Sequence, residues 1–167
     1  MPLHGRTKDL SGLALWVALC LGVAGVGGAI TRTSVSDWYQ DLHKPSFNPP
    51  DWVFTPVWIS LFVLMGISAW MVWRMTGFVR GRIPLTMFGV QLALNLAWSF
   101  IFFGAQFIGL ALVEIVVLWV AILVTADGFR RVSPVAGLLL IPYLLWSSFA
   151  VVLNAAIWWL NTAWVTA

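Results

Sequence analysis

From Leu10 to Thr31 the chain runs for 22 positions without a charged side chain, and from Trp52 to Trp73 it does so for 22 more. A third uncharged run, residues 83–113, is 31 long. These runs constrain the fold more than any other feature, because about 20 apolar residues in a helix cross the hydrocarbon of a bilayer. Only 9% of the residues are charged, against roughly a quarter in soluble domains, so too little charge remains to coat a surface in water. The expected architecture is an all-α integral membrane protein, a single domain over residues 1–167 built as a bundle of five transmembrane helices.

The spans are expected at about 10–31, 52–73, 83–103, 107–126 and 134–159. The first follows Arg6 and Lys8, and its apolar stretch exceeds the 7–15 or so residues of a secretion signal's core, which favours a retained span over a cleaved leader. Ala14, Ala18, Gly22 and Gly25 fall near one face of it, where small side chains let a neighbouring helix approach closely. The second span opens either with Thr55 as cap and Pro56 in the first turn, or with Asp51 as cap and Pro56 as a bend. The run 83–113 is too long for one crossing, and Gly104-Ala105-Gln106 supplies the break. Ser133-Pro134 reads as a helix start, and Pro142 predicts a kink in the last span.

Five crossings put the N-terminal tail and the connections 74–82 and 127–131 on one side. That side holds seven of the nine basic residues (Arg6, Lys8, Arg74, Arg80, Arg82, Arg130, Arg131), leaving Arg32 and Lys44 on the other. The positive-inside rule makes the N-terminus cytoplasmic and the first loop and C-terminus extracytoplasmic. The net charge of +3 is then an orientation signal rather than a nucleic-acid footprint. Helical spans favour an inner membrane over an outer one.

Residues 32–51, between the first two spans, do not read as a flexible linker. Pro45, Pro49 and Pro50, with Pro56 just beyond, restrict φ and stiffen the segment, while Trp38, Tyr39, Phe47 and Trp52 give it apolar faces that need cover. It reads as a structured lid. Beneath it, three stripes recur at helical spacing: Trp58, Phe62, Met65 and Ala69; Gln91, Asn95, Trp98 and Phe102; Tyr143, Trp146, Ala150 and Asn154. Amides inside hydrocarbon need partners or a cavity. The stripes describe either helix packing with interhelical hydrogen bonds or a pocket for a flat, largely apolar ligand with polar ends. The lid favours the pocket.

Trp38-Tyr39, Lys44-Pro45, Asn48-Pro49-Pro50, Trp52, Phe54, Pro56 and Trp58 stand in the order and spacing of a known family. So do Gln91-Leu92 with Leu94-Asn95 and Trp98-Ser99, then Pro142-Tyr143-Leu144 with Trp146, and Ala150 with Leu153-Asn154. The chain resembles, over nearly its whole length, the translocator protein family, called tryptophan-rich sensory proteins in bacteria and formerly the peripheral benzodiazepine receptor. The resemblance implies a five-helix membrane protein, commonly a homodimer, that binds porphyrins, sterols and isoquinoline or benzodiazepine compounds. It leaves an outer-membrane location open. Tyr39, Pro49, Trp58, Asn95, Trp146 and Ala150 match the family's pocket positions; Phe62, Gln91, Trp98, Phe102, Tyr143 and Asn154 join them through the stripes. It further implies light-dependent oxidation of protoporphyrin, with Trp58 and Trp146 as the reacting indoles and the porphyrin as ligand or substrate; no further cofactor is expected. The animal sterol-recognition pattern is broken here, with Ala155, Ala156 and Trp159 at its positions, so tight cholesterol binding is not expected.

Other residues carry weaker expectations. Arg32 and Lys44 are the cations placed to meet a porphyrin propionate. Gly89, Ala93 and Ala97 repeat small residues every four positions, either as packing within the chain or as a dimer seam. Glu114 is an intramembrane carboxylate and so a functional-site hypothesis by default, with helix pairing, simple protonation or a misplaced span boundary as the plainer readings. His4, His43 and Cys20 make no metal cluster, and no hydrolase triad, phosphate loop or carboxylate pair is present. The expected partners are a hydrophobic small molecule, membrane lipid and a second copy.

Overall fold

The computed structural model describes residues 3–162, with side chains from residue 9 onward; Arg6, Lys8 and His4 fall outside the described side chains. The elements in order are α1 (Leu3–Arg32), α2 (Trp38–Asp41), α3 (Asp51–Arg80), α4 (Arg82–Ser99), a π-helical turn (Phe100–Gly104), α5 (Ile108–Val132), α6 (Pro134–Leu139) and α7 (Ile141–Thr162), with no strand among the described residues. Five stretches are long and apolar enough to cross a membrane: Asp9–Arg32, Asp51–Arg80, Arg82–Gly104, Ile108–Val132 and Pro134–Thr162.

Several helix ends differ from the sequence expectation for one reason: beyond the hydrocarbon a helix continues in water at little cost. α3 passes Arg74 and reaches Arg80, broken only where Gly77 takes φ 64°. α5 carries Asp127, Arg130 and Arg131 in its last turns, where the two guanidiniums contact the Asp127 carboxylate at 2.8 and 2.7 Å and suit the negative end of the helix dipole. Neither Asp51 nor Thr55 caps α3; Pro50 holds that position, and Pro56 lies inside the helix. Ser133 caps α6 as expected, its hydroxyl accepting from the Ala136 amide at 3.4 Å with Pro134 in the first turn. Pro142 is accompanied by a break rather than a bend. α6 ends at Leu139 and α7 begins at Ile141, since a proline at 142 cannot donate to the carbonyl of Leu138.

The core runs along the bundle through Phe62, Met65, Ala69 and Val72 of α3, Phe88 and Leu92 of α4, Ile115, Leu118 and Ile122 of α5, and Tyr143 of α7. α1 seats against α3. A Cβ built on Gly66 would stand 2.7 Å from the Val17 Cα, so the two backbones meet there. At the end of the bundle away from the first loop, Arg74 pairs with Asp9 at 3.0 Å, and the Trp70 indole donates to the Asp9 carbonyl at 3.1 Å. The small face of α1 corrects the expectation: Ala14, Ala18, Gly22 and Gly25 are all exposed, and nothing lies within 4 Å of a Cβ on Gly22 or Gly25. Close approach uses the opposite side of α1, where Gly66 of α3 meets the Val17 backbone and Gly12 of α1 meets the Trp73 ring.

Candidate functional site

The three stripes turn inward together. Phe62, Gln91, Asn95, Phe102, Tyr143 and Asn154 are buried, as are Met65 and Ala69, while Trp58, Trp98, Trp146 and Ala150 are half-buried. Their polar atoms find each other across helices. The Asn95 amide donates to the Tyr143 hydroxyl at 2.9 Å, joining α4 to α7. The Trp98 indole donates to Asn154 Oδ1 at 3.1 Å, and the Asn154 amide donates to the Ile108 carbonyl at 3.0 Å, joining α4, α7 and α5. Gln91 Nε2 reaches the Met65 sulfur at 3.8 Å. Rings fill the intervals: Trp98 stacks on Phe102 at 5.1 Å, Trp58 lies 6.2 Å from Tyr143, and Phe54 meets Trp146 edge-on at 5.9 Å. The stripes meet one another through these contacts, and two further openings lie apart from them. A cavity of about 490 Å³ lies between residues 106–110 and the end of α7, and a groove of about 240 Å³ lies beside Trp119 and Ser148.

The segment between α1 and α3 forms a cap built from specific bonds. Ser34 donates to the Phe103 carbonyl at 2.6 Å, which fixes the turn that follows α1. The short helix α2 then sets Tyr39 against Phe102 and Phe103 at 6.3 and 5.7 Å, and its hydroxyl donates to Asn48 Oδ1 at 3.0 Å. Burial, helped by the Asp51 charge and opposed by the Asn48 bond, pushes the Tyr39 phenol up to about 12, so it stays a neutral donor. The Lys44 ammonium sits 4.5 Å over the Tyr39 ring and donates to the Gln40 carbonyl at 3.4 Å; it braces the cap from outside, and Arg32 is exposed at the end of α1. Pro49 is half-buried. Phe47 meets Phe149 at 6.4 Å, but Trp52, expected to need cover, is 74% exposed and suits the bilayer interface, where tryptophan concentrates.

Asn161 latches the cap to the end of α7. Its Oδ1 accepts from the His43 amide at 3.1 Å and its Nδ2 donates to the His43 carbonyl at 3.0 Å. Sequence reasoning missed this residue, although it stands seven positions, two helical turns, beyond Asn154. It also missed Phe54, which extends the Trp58 stripe by one turn. In Asn161→Ala the cap is expected to open about tenfold more often, the effect of losing roughly 1–2 kcal/mol of hydrogen bonding. Faster hydrogen exchange over residues 42–48 would report it, and unchanged exchange would show that the latch does not hold the cap.

Glu114 lies six residues into α5, which starts at Ile108. Gly89 and Ala93 are exposed and Ala97 is half-buried, which leaves the outer part of that stripe facing away from the bundle.

Five apolar helices around an aromatic and amide interior, closed at one end by a bonded cap, define a multi-pass integral membrane protein. A profile of the TspO/MBR family matches residues 16–160. The chain is 46% identical over 156 residues to the Tryptophan-rich protein TspO of Chlorobaculum tepidum, covering 92% of this chain and 98% of that one. It is 43% identical over 141 residues to the Translocator protein of Homo sapiens, covering 83% of each. To the Tryptophan-rich sensory protein of Cereibacter sphaeroides it is 36% identical over 139 residues, 83% of this chain and 84% of the relative. The chain belongs to the TspO/MBR family.

Proposed function

We propose that the protein is a membrane sensor that binds tetrapyrroles and other flat, largely apolar molecules inside the bundle beneath its cap, and that light drives oxidation of a bound porphyrin. The observation that carries this reading is the convergence of Trp58, Trp146, Asn95 and Tyr143 from three separate helices on one interior under Tyr39 and Phe54. The interior admits a ligand when the cap lifts, and the faces of Trp58 and Trp146 then pack against the ligand's π face. An indole beside a photoexcited porphyrin can give it an electron, leaving an indole radical cation and a porphyrin radical anion; dissolved dioxygen is the oxidant that then takes the electrons the porphyrin loses, and electron donation is the role proposed for Trp58 and Trp146. The charge asymmetry turns the cap outward, Arg32 and Lys44 are the cations proposed to meet propionates, and Gly89, Ala93 and Ala97 are proposed as the seam of a homodimer.

Titration with protoporphyrin IX, followed by quenching of tryptophan fluorescence, tests the site. The double variant Trp58→Phe, Trp146→Phe is expected to bind about tenfold more weakly, since each lost indole stack is worth roughly 0.5–1.5 kcal/mol, and to lose light-dependent loss of the porphyrin. An unchanged affinity, read from porphyrin absorbance, would overturn the pocket. A second reading, suited to the name translocator that relatives carry, is transport of such ligands. Flux into proteoliposomes above passive leak would favour it.

A further inference from the structure

The larger cavity lies outside the stripes, at the end of the bundle that carries the cap. It holds about 490 Å³ between the start of α5 and the last turns of α7, within the roughly 300–1,000 Å³ of small-molecule sites. Two spans end there, at Ile108 and Thr162, so it opens at the level where acyl chains meet headgroups. Its walls divide by chemistry. Phe107, Leu110 and the ring of Trp158 are apolar, while Gln106, Asn161 and Thr162 are polar, and among the described residues no charged side chain lines it.

Several of its hydrogen-bonding groups are open. Among the described residues neither the Trp158 indole N–H nor the Gln106 side-chain amide has a partner. The Thr162 hydroxyl donates to the Trp158 carbonyl at 2.8 Å, which leaves its oxygen able to accept. Gln106 is also the one described residue other than glycine with a positive φ, 60°, a backbone state that costs energy and gathers at ligand clamps and switch segments.

Asn161 faces two ways. It borders this cavity, and its amide makes both bonds to the His43 backbone that fasten the cap, at 3.1 and 3.0 Å. To release His43 that amide must swing aside, and a molecule packed beside it takes away room for the swing.

We propose that this cavity is a second ligand site, for an uncharged lipid of the monoacylglycerol class, and that its occupant holds the cap latched by packing beside Asn161. The absence of charge in the walls selects a neutral headgroup. Gln106 and the Trp158 N–H offer hydrogens while Gln106 and Thr162 offer lone pairs, and a hydroxyl both donates and accepts. The apolar stretch from Phe107 to Leu110, facing Trp158, takes the chain. The coupling is reciprocal, so the occupant gains as much from latching as the latch gains from it. None of this depends on what binds beneath the cap.

The test uses protein labelled with 5-fluorotryptophan in phosphatidylcholine vesicles, where the Trp158 fluorine resonance is the one missing from Trp158→Phe. Monoolein is added at rising mole fraction, and methyl oleate, with the same chain and no hydroxyl, is the comparison. Monoolein is expected to move the Trp158 resonance to saturation and to slow hydrogen exchange over residues 42–48 about fivefold, the low end of coupling between sites. Methyl oleate is expected to need about fivefold more for the same shift, the worth of one neutral hydrogen bond. In Asn161→Ala, exchange over 42–48 is expected to ignore monoolein, and an undiminished response there would overturn the route through Asn161. A shift that grows without saturating is surrounding lipid alone, and equal potency of the two compounds removes the headgroup contacts; either overturns the site. Saturable binding with unchanged exchange over 42–48 overturns the control of the latch. Binding that appears only once residues 163–167 are deleted makes the chain's own end the occupant and overturns the lipid.

Discussion

Valine at position 66 is expected to force α1 away from α3 and to lower the thermal midpoint of the protein sharply. The added Cβ would stand 2.7 Å from the Val17 Cα and 3.0 Å from its backbone nitrogen, and backbone atoms cannot rotate aside as a side chain can. Overpacking typically costs 1–3 kcal/mol, and a clash against backbone belongs at about 3 kcal/mol or above, a large share of the roughly 5–15 kcal/mol that holds a domain together. Gly22→Ala is the control. Nothing lies within 4 Å of its Cβ, and a mid-helix glycine replaced by alanine gains up to about 1 kcal/mol. Tryptophan fluorescence during heating in detergent separates the two; equal midpoints for Gly66→Val and Gly22→Ala would mean that the α1–α3 seam is not where stability resides.

The second large effect is expected at Asn154. Replacing it with leucine keeps the branched shape but strips the Trp98 indole of its acceptor and the Ile108 carbonyl of a donor. A buried group left unmatched costs about 1–3 kcal/mol, while interhelical hydrogen bonds in membranes average nearer 0.6 kcal/mol. The two partners on two helices place Asn154→Leu at about 2 kcal/mol. A double-mutant cycle with Trp98→Phe isolates the bond: once the indole N–H is gone, the cost of Asn154→Leu is expected to fall by about half. Strict additivity of the two changes would show that the bond contributes nothing.

What the sequence made legible was whatever depends on local pattern. Charge-free runs located five crossings, and the three- and four-residue spacing of Gln91, Asn95, Trp98 and Phe102 correctly turned those side chains inward, because a helix converts spacing into a face regardless of its neighbours. Ser133-Pro134 announced its helix for the same reason. Less legible was anything decided by a second element. The small residues of α1 look like a packing seam, yet the seam lies at Gly66, since contact depends on which side of α1 the rest of the bundle occupies. Helices overran Arg74 and Asp127 because charge marks the edge of the hydrocarbon and not the end of a helix. Trp52 shares its composition with the cap but points outward, and nothing local distinguishes it from Tyr39. The pairing of Asn95 with Tyr143 and of Trp98 with Asn154 was also out of reach, as spacing identifies an inward face without fixing which side chain it meets.

The bonds between Asn161 and His43 join positions 118 residues apart, and that separation sets an order on biogenesis. A nascent chain that has inserted α1, α3, α4 and α5 holds the segment around His43 outside the bilayer with its fastening residue still unsynthesised. The Ser34 bond to Phe103 and the Tyr39 contacts need only the chain up to residue 103, whereas the Asn161 latch closes after the final helix has crossed, so a chain arrested before that point carries its cover seated on one side and unfastened on the other.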